Sequence, residues 1–450
     1  MNRRIVLISA IFLACFCAPP AGAQQSDLDA RIARELPSLL NTYKSIHAAP
    51  ELSHHEAKTS ALVAARLREL GFTVTDHIGK YDHPGWVSYG VVGILKNGAG
   101  PTVLVRTELD ALPITEETGL PYASHVRAKD DSGREVGVMH ACGHDIHITS
   151  LLGTAAVLAA MKDQWHGTLI MLAQPAEETI NGARAMLADG LYSRFPRPDY
   201  LLAMHDTPDL PAGKVSYTPG YAAASSTSVD ILVRGVGAHG SRPEAGKDPI
   251  VEAAQLVLAI QTIVSREISP FDPAVVTVGS IHGGTRYNII PDEVHLQLTI
   301  RTYKEEVRQH ILASLDRMAK GIAEADGIPA SRAPIVKPSA TEHCTALYND
   351  PKLTERVAQA LASALGKENV VKGLPIMASE DFGEFGGADH KIPLCDFSLG
   401  AVNPAKFAEA QRTGAKLPGL HSPLWAPDSE PTLRTGVKAM TSVVLNLMKD

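Results

Sequence analysis

The feature that most constrains the fold is an alternation of apolar strand signals with helical signals in the first half of the chain. Four short apolar runs have the composition of buried strands: Val87 to Leu95, Thr102 to Arg106, Thr168 to Ala173 and Tyr200 to Met204. Helical spacing of apolar residues separates these runs, as at Ile148 to Met161 and Ala183 to Ala188. Strands that alternate with helices in this way form a largely parallel sheet covered by helices. The sequence therefore predicts a three-layer α/β domain.

The order of elements changes beyond about Tyr221. A strand, a helix, two strands and a helix are expected there: Ser228 to Arg234, Ile250 to Ile268, Val275 to Ile281, Glu293 to Ile300 and Lys304 to Ala325. Such a βαββα unit can form its own small α+β sheet with helices on one face. It differs from the pattern on either side of it, which indicates a separate domain.

This middle unit is predicted to be an insertion, because a helix at Pro351 to Leu365 and a strand at Ile392 to Ser398 return to the first pattern. We expect residues 221–334 to form a lid domain within a larger domain of residues 24–220 and 335–450. A chain of this length exceeds what one hydrophobic core usually covers, which also favours two domains.

The first 23 residues have the composition of an export signal. Two arginines precede an apolar stretch, Ile5 to Cys17, and Ala21-Gly22-Ala23 offers small residues for cleavage. We expect cleavage near Ala23/Gln24 and a periplasmic or secreted protein with no membrane attachment afterwards. A lipoprotein anchored through Cys15 is the alternative, although the residues before Cys15 are a poor lipid-attachment sequence.

Charge and cysteine content limit the classes of partner. Loss of Arg3 and Arg4 with the signal lowers the formal net charge from −7 to −9, and no basic stripe remains. Nucleic acid is therefore not an expected partner. The three remaining cysteines, Cys142, Cys344 and Cys395, are odd in number and widely spaced, so no disulfide framework is predicted.

Polar residues follow three of the predicted strands at the point where each strand ends. These residues are Glu108 and Asp110, Glu177 and Glu178, and His205 and Asp206. Ligand sites in open α/β sheets form beyond the carboxyl ends of the strands. We therefore expect five carboxylates and one imidazole at one rim of the sheet.

The segment His140 to His147 offers one thiol and three imidazoles just before a predicted helix. Its side chains Cys142 and His144 are good ligands for zinc and other borderline metals. A loop with a buried cysteine and surface histidines is the alternative reading of this segment.

The adjacent pair Glu177 and Glu178 follows a buried strand and a proline. Adjacent side chains on an irregular loop point different ways, so one carboxylate can bind metal while the other faces water. A catalytic metal site needs such a division, because a nearby base must take a proton from water and return it to the leaving amine. A solvated helix start is the alternative.

Seven segments in one order carry a resemblance to a known family. They are Leu109 to Ile114, Met139 to Asp145, Gln174 to Glu178, Gly235 to His239, Tyr287 to Asp292, Ser379 to Phe382 and Leu420 to Pro423. Together they resemble the aminoacylase and carboxypeptidase metallohydrolases, in the amidohydrolase branch that includes hippurate hydrolase and the plant auxin-conjugate hydrolases. The resemblance covers the chain from about Ile46 to its end.

The resemblance implies two divalent ions, zinc or manganese, and a set of ligands. The implied ligands are Cys142, His144, Glu178, His205 and His421. Cys142 would take the bridging place that an aspartate holds in sister branches. Glu177 would be the general base, and the ions would stabilise the charged oxygen of the tetrahedral intermediate.

The resemblance also implies a catalytic core with a lid domain that forms homodimers. In this family lid residues help to bind substrate, so His239 would contact the oxyanion and Asn288 the substrate carboxylate. Arg286 stands where a small residue is commoner in relatives, and its guanidinium is expected to pair with a substrate carboxylate.

Two further positions leave alternatives open. This chain has Glu108-Leu109-Asp110 where many relatives carry Asp-Met-Asp, which argues against a direct metal role for Glu108. Glu380 and Asp381 either orient the metal ligands without binding the metal themselves or cap a helix that begins near Phe382.

The expected function is hydrolysis of N-acyl or N-aroyl amino acids, or similar small amides, to a carboxylic acid and an amine. A dipeptidase or carboxypeptidase with the same metal chemistry is an alternative. A periplasmic solute-binding protein is another, but it has no use for these ligands on one rim. A cysteine hydrolase is a third, although His144 lies only two residues from Cys142 and is poorly placed as its base.

Overall fold

A computed structural model of the protein describes residues 21–387 and 390–449. Most of the predicted export signal, residues 1–20, lies outside the described residues. Within the described part of the chain, no helix combines the length and the apolar character needed to cross a membrane.

The helices and strands follow one another in this order. The α-helices are α1 (Ala21–His47), α2 (Ala57–Glu69), α3 (His144–Ala160), α4 (Gly182–Ala188), α5 (Leu191–Arg194), α6 (Pro249–Thr262), α7 (Glu305–Ala325), α8 (Pro351–Leu365), α9 (Pro404–Thr413) and α10 (Ser429–Leu447). The strands are β1 (Thr73–Ile78), β2 (Gly90–Asn97), β3 (Thr102–Glu108), β4 (Arg127–Lys129), β5 (Glu135–Gly137), β6 (Gly167–Gln174), β7 (Tyr200–Pro211), β8 (Val215–Tyr217), β9 (Gly220–Ala223), β10 (Ser225–Arg234), β11 (Ala238–His239), β12 (Ala274–Gly283), β13 (Ile289–Ile290), β14 (Glu293–Thr302), β15 (Ile335–Cys344), β16 (Leu347–Asn349), β17 (Val370–Lys372) and β18 (Leu394–Val402).

The larger sheet has eight strands in the order β1-β2-β6-β3-β7-β18-β8-β17. Its central strands β6, β3, β7 and β18 run parallel to one another, and antiparallel pairs lie toward the edges. Strands β3 and β6 are buried along almost their whole length, as parallel strands covered on both faces must be. The predicted α/β class is confirmed.

Helices cover both faces of this sheet. Val103 and Val105 of β3 belong to a core shared with α1, α3, α8 and α10. Leu104, between them, faces the other side and packs in a core with Met186 of α4 and Phe382. Successive side chains of a strand point to opposite faces, so one apolar run serves both layers. The result is a three-layer arrangement.

A second sheet of four antiparallel strands has the order β12-β14-β10-β15. Helices α6 and α7 pack against it, and the side chains between them form a separate core. Strand β15 lies beyond residue 334, where we expected this unit to end. Pro338 within it pairs with Val229 at the edge of the sheet, which is where a strand can contain proline. This proline is the reason that sequence-based reasoning did not identify the strand.

The expected single helix from Ile250 to Ile268 is also different. Helix α6 ends at Thr262 and continues as a wider π-helical turn, Ile263–Glu267. By contrast, α8 has the predicted bounds, since Asp350 caps it by accepting a hydrogen bond from the Leu353 amide.

Candidate metal centre and active site

Two strands of the larger sheet, the start of α3 and one loop bring the candidate ligands together. The loop after β6 carries Glu178, β7 carries His205, and Cys142 and His144 lie at the start of α3. His421 belongs to the loop between α9 and α10. These five residues, distant in sequence, meet at the carboxyl edge of the central strands.

Cys142 lies at the centre of this cluster. Its Sγ is 3.5 Å from His205 Nε2 and 3.3 Å from His421 Nε2. His421 Nε2 is also 3.5 Å from Glu178 Oε2, and His144 Nε2 is 3.9 Å from Glu178 Oε1. The thiol therefore belongs to two groups with metal-binding spacing, one with His144 and His205 and one with Glu178 and His421.

Unpartnered atoms test whether this cluster fits a cation. His144 Nε2 and Glu178 Oε1 are buried and have no hydrogen-bond partner among the described residues. Buried polar atoms nearly always have a hydrogen-bond or metal partner. These two neighbouring atoms therefore need a further partner. Thiolate, imidazole and carboxylate are the ligands of zinc and related ions. The donor set fits divalent metal.

The environment of Cys142 disfavours the charged form of its thiol. Burial, followed by the charges of Glu178 and Glu177, raises the pKa of Cys142 well above its usual value. A thiolate in this position therefore requires an added positive charge, which a metal ion provides.

Hydrogen bonds from the Nδ1 atoms orient the imidazoles of His144 and His205. His144 Nδ1 lies 2.8 Å from the backbone oxygen of Asp110, so it donates there and turns a bare Nε2 toward the cluster. His205 Nδ1 is bonded in the same way to the backbone oxygen of Asp206, at 2.8 Å. Such contacts are typical of metal-binding histidines, since they fix the tautomer and the ring orientation.

A third histidine, His147, lies behind the ligands. Its Nε2 accepts a hydrogen bond from the Asp206 amide at 2.8 Å, and its Nδ1 is 2.9 Å from Glu108 Oε2. Glu108 is thus held by His147, and its carboxylate also lies with His144 and His147 in a third group that has metal-binding spacing. The expectation that Glu108 has no direct metal role stays a prediction.

Arg106 is a buried cation that sequence reasoning missed. Its guanidinium contacts Glu108, lies 2.8 Å from Glu380 Oε1 and 3.3 Å from Asp381 Oδ1, and is almost completely buried. Arg106 and Glu108 share one face of β3. An arginine at the end of an apolar run that was predicted to be a buried strand was the signal that could have identified it, because such a charge is buried only when it is paired.

Glu380 has the capping role, and it also binds Arg106. Its Oε1 accepts a hydrogen bond from the Phe382 amide at 2.8 Å, which caps the short 3₁₀ turn Asp381–Gly386. The same carboxylate binds Arg106. Glu380 therefore supports the site through Arg106 and Glu108.

A cavity of about 700 Å³ lies between the two sheets and opens onto the ligands. Glu177 lines it and is buried, with Oε2 3.8 Å from His144 Nε2. Burial, then the charges of Glu380 and Glu178, raises the pKa of Glu177 well above its usual value. A carboxyl group in such surroundings holds a proton readily, as a proton carrier must.

Arg301 of β14 lines the same cavity and was also missed. Its guanidinium contacts Ser379, and no carboxylate among the described residues pairs with it. Burial lowers the pKa of Arg301, which shows that its charge lacks full compensation.

The predicted lid residues lie elsewhere. His239 and Asn288 lie at a small exposed two-stranded sheet formed by β11 and β13, where the Gly240 amide donates to the Asn288 backbone oxygen at 2.8 Å. Arg286 is exposed in the segment between β12 and β13. None of these three residues lines the cavity of the described chain. Their substrate-binding roles stay predictions.

Comparisons with known proteins agree with this geometry. A family model described as peptidase family M20/M25/M40 matches residues 104–412. Hippurate hydrolase of Campylobacter jejuni is 38% identical over 342 residues, which are 76% of this chain and 82% of that protein. N-acetyl-L-cysteine deacetylase of Bacillus subtilis is 35% identical over 76% of this chain and 76% of that protein.

A solved structure is similar over almost the whole chain. A dinuclear metal binding peptidase of Bacillus subtilis has a TM-score of 0.71 and 28% sequence identity, and the match covers 93% of this chain and 99% of that one.

Proposed function

This chain belongs to the peptidase family M20/M25/M40, and we propose that it cleaves the amide bond of N-acyl and N-aroyl amino acids to a carboxylic acid and an amino acid. The family resemblance expected from its motifs is thereby confirmed, and the chain is a metal-dependent hydrolase. The observation that carries the proposal is the convergence of unpartnered His144 Nε2 and Glu178 Oε1 beside Cys142.

Two divalent ions, zinc or manganese, are part of this proposal. Cys142 would be shared between them, because it belongs to both groups of ligands: one with His144 and His205 and one with Glu178 and His421. When bound, such ions act as Lewis acids for a carbonyl group and lower the pKa of water. The thiolate favours zinc, whereas the nitrogen and oxygen ligands also suit manganese.

Glu177 would move the proton in the reaction. Its carboxylate lies beside the ligands and faces the cavity, so it can accept a proton from the attacking water. The same group then returns that proton to the leaving amine, which departs as a neutral molecule. The raised pKa of Glu177 supports this role, because a weak base cannot hold the proton between the two steps.

Arg301 would bind the carboxylate of the amino-acid part. Its unpaired guanidinium lines the cavity and offers the planar donors that carboxylates prefer. The acyl part would contact Leu374 and Ile376, which are apolar, exposed and at the mouth of the same cavity. These contacts would place the scissile amide next to Glu177.

Location and assembly complete the proposal. Cleavage of the export signal near Ala23/Gln24 would release the enzyme to the periplasm or the exterior. A homodimer through a lid domain is supported by exposed apolar side chains such as Leu258 and Tyr287. A second subunit is also what would bring the exposed His239 to a substrate. Light scattering of the purified protein measures this assembly directly.

The decisive experiment compares the wild type with Cys142→Ala and Glu177→Gln. Metal content and hydrolysis of a panel of N-acyl amino acids are measured for each. We expect Cys142→Ala to lose metal, whereas Glu177→Gln keeps metal and loses at least about 100-fold in kcat. Activity that survives complete chelation would contradict the metal mechanism. Hydrolysis of free dipeptides together with no hydrolysis of the N-acyl amino acids would contradict the substrate class.

A further inference from the structure

The floor of the cavity carries a patch of polar side chains that the proposed reaction does not use. Ser398 of β18 pairs in register with Ser216 of β8, and Asp396 lies two residues before Ser398 on the same face of its strand. Thr218 follows β8 and lines the cavity with them. We refer to Ser216, Thr218, Asp396 and Ser398 as the polar floor.

The small sheet supplies a matching patch from the other side. In the pairing of β10 with β14, Ser226 lies opposite Arg301 and Ser228 lies opposite Thr299. All four side chains line the cavity. The space between this patch and the polar floor is therefore bordered by hydroxyl groups, with Arg301 as the cation on one side and Asp396 as the acid on the other.

Asp396 is the unusual member of the polar floor. Its Oδ1 is buried, and among the described residues it has no hydrogen-bond partner and no lysine, arginine or histidine that forms an ion pair with it. Burial, and after it the charges of Glu380 and Glu108, raises the pKa of Asp396 well above its usual value. A buried carboxyl oxygen without a partner costs stability, so its position at a ligand cavity indicates a ligand that satisfies it.

We propose that Asp396 receives a protonated amine on the side chain of the substrate's amino acid, so that N-acyl derivatives of amine-bearing amino acids are the preferred substrates. This inference rests on the proposed function and names its substrate class. Arg301 would hold the α-carboxylate while Asp396 holds the side-chain ammonium, so both charges of the amino-acid part meet an opposite charge in the cavity. An aliphatic side chain of equal length would leave Asp396 unsatisfied.

The experiment uses the metal-loaded, full enzyme and matched pairs of substrates. kcat/KM is measured for Nα-benzoyl-ornithine against Nα-benzoyl-norvaline, and for Nα-benzoyl-lysine against Nα-benzoyl-norleucine. A charge-assisted hydrogen bond predicts a preference of about tenfold or more for the amine-bearing member of at least one pair. In Asp396→Asn this ratio is expected to fall to about one, and in Asp396→Glu to be partly kept.

A matched control is Asp209→Asn, which removes a carboxylate that lines the same cavity but is exposed to solvent. The ratio should persist in this variant. Inhibition of the wild type by free ornithine and lysine, compared with norvaline and norleucine, tests the same contact without any variant. It keeps the inference testable if Asp396→Asn does not fold.

The outcomes separate the two proposals. Equal kcat/KM values within both pairs, equal inhibition by the free amino acids, or a preference that persists in Asp396→Asn would overturn the inference and leave the proposed function intact. Hydrolysis of none of these substrates by the metal-loaded enzyme would overturn the proposed function, and with it the inference that depends on it.

Discussion

Gly143 lies against the carboxylate of Asp206. A β-carbon on Gly143 would come within 2.3 Å of both carboxylate oxygens of Asp206, and Gly143 has a positive φ of 76°. Gly143 separates Cys142 from His144, and Asp206 follows His205. This single contact therefore sets the distance between two segments that carry three of the candidate ligands.

Replacement of Gly143 by alanine is expected to reduce both metal content and the free energy of unfolding. The positive φ alone costs about 1 kcal/mol, and the new methyl group must displace Asp206 as well. Metal content after dialysis and the midpoint of urea unfolding measure the two effects. The control is Gly133→Ala, because Gly133 has a φ of 81° with no atom within 4 Å of the added carbon. Equal metal content in the two variants would contradict the argument.

Arg106→Met is expected to lower the free energy of unfolding by about 3–5 kcal/mol at pH 7, because it leaves buried carboxylates without their cation. Those carboxylates belong to Glu108, Glu380 and Asp381. Chemical denaturation measures the loss. Arg106→Lys keeps the charge but lacks the planar guanidinium group. Its loss in free energy of unfolding should therefore be smaller than that of Arg106→Met.

An exposed pair provides the control for Arg106. Arg412 lies 2.6 Å from Glu409, and both side chains are largely exposed, so Arg412→Met should cost about 0.5 kcal/mol or less. If Arg106→Met lowers the free energy of unfolding no more than Arg412→Met does, the carboxylates near Arg106 do not depend on its charge.

Local signals explain how much of this fold could be predicted from the sequence. The strand Thr168 to Ala173 was identified within one residue at each end, because a continuous apolar run bounded by polar residues is a local feature. Strand β15 was missed because its proline, Pro338, contradicts strand propensity, and only the position of the strand at the sheet edge permits it.

The site depends on contacts that no local pattern contains. Cys142 and His421 are 279 residues apart, and their approach to 3.3 Å was expected only from the family resemblance. The cavity residues Arg301 and Asp396 lie in strands whose polar positions read as ordinary solvent-facing sites. Two sheets must meet before those positions become the walls of a cavity, so their roles follow from the tertiary structure alone.

His47 is expected to make the free energy of unfolding decrease as the pH rises from neutral to alkaline values. Burial would lower its pKa, but hydrogen bonds to Asp145 at 2.7 Å and Glu116 at 3.0 Å outweigh burial and raise the pKa of His47 to about 10. The folded state thus binds a proton that the unfolded chain loses near pH 6.5. The stabilisation is complete below about pH 6.5 and is lost as the pH rises to about 10.

Urea unfolding of the wild type and His47→Gln at a series of pH values measures this effect. The difference in free energy of unfolding should be largest below pH 6.5 and should shrink toward pH 10. A difference that stays constant over this range would mean that His47 acts through packing and not through its charge.

Glu252 of α6 lies in the unit of the smaller sheet, away from the candidate metal ligands. It is also expected to make the free energy of unfolding depend on pH. Both of its carboxylate oxygens are buried without a hydrogen-bond partner among the described residues. Burial, then the charge of Asp326, raises the pKa of Glu252 to about 7. Its charged form is therefore disfavoured in the folded state, and the free energy of unfolding should fall as the pH rises from about 4.5 to about 7.

Glu252→Gln removes that charge and keeps the shape of the side chain. The variant should be more stable than the wild type by about 1–3 kcal/mol above pH 7, and the difference should disappear below about pH 4.5, where the wild-type carboxyl group is protonated in both states. Glu244→Gln is the matched control, because Glu244 is exposed in the same unit and its replacement should leave the unfolding midpoint unchanged at every pH. A Glu252→Gln variant that is less stable than the wild type at pH 8 would show that the carboxylate has a partner in solution, such as a bound cation or ordered water, and that this partner stabilises the charged form.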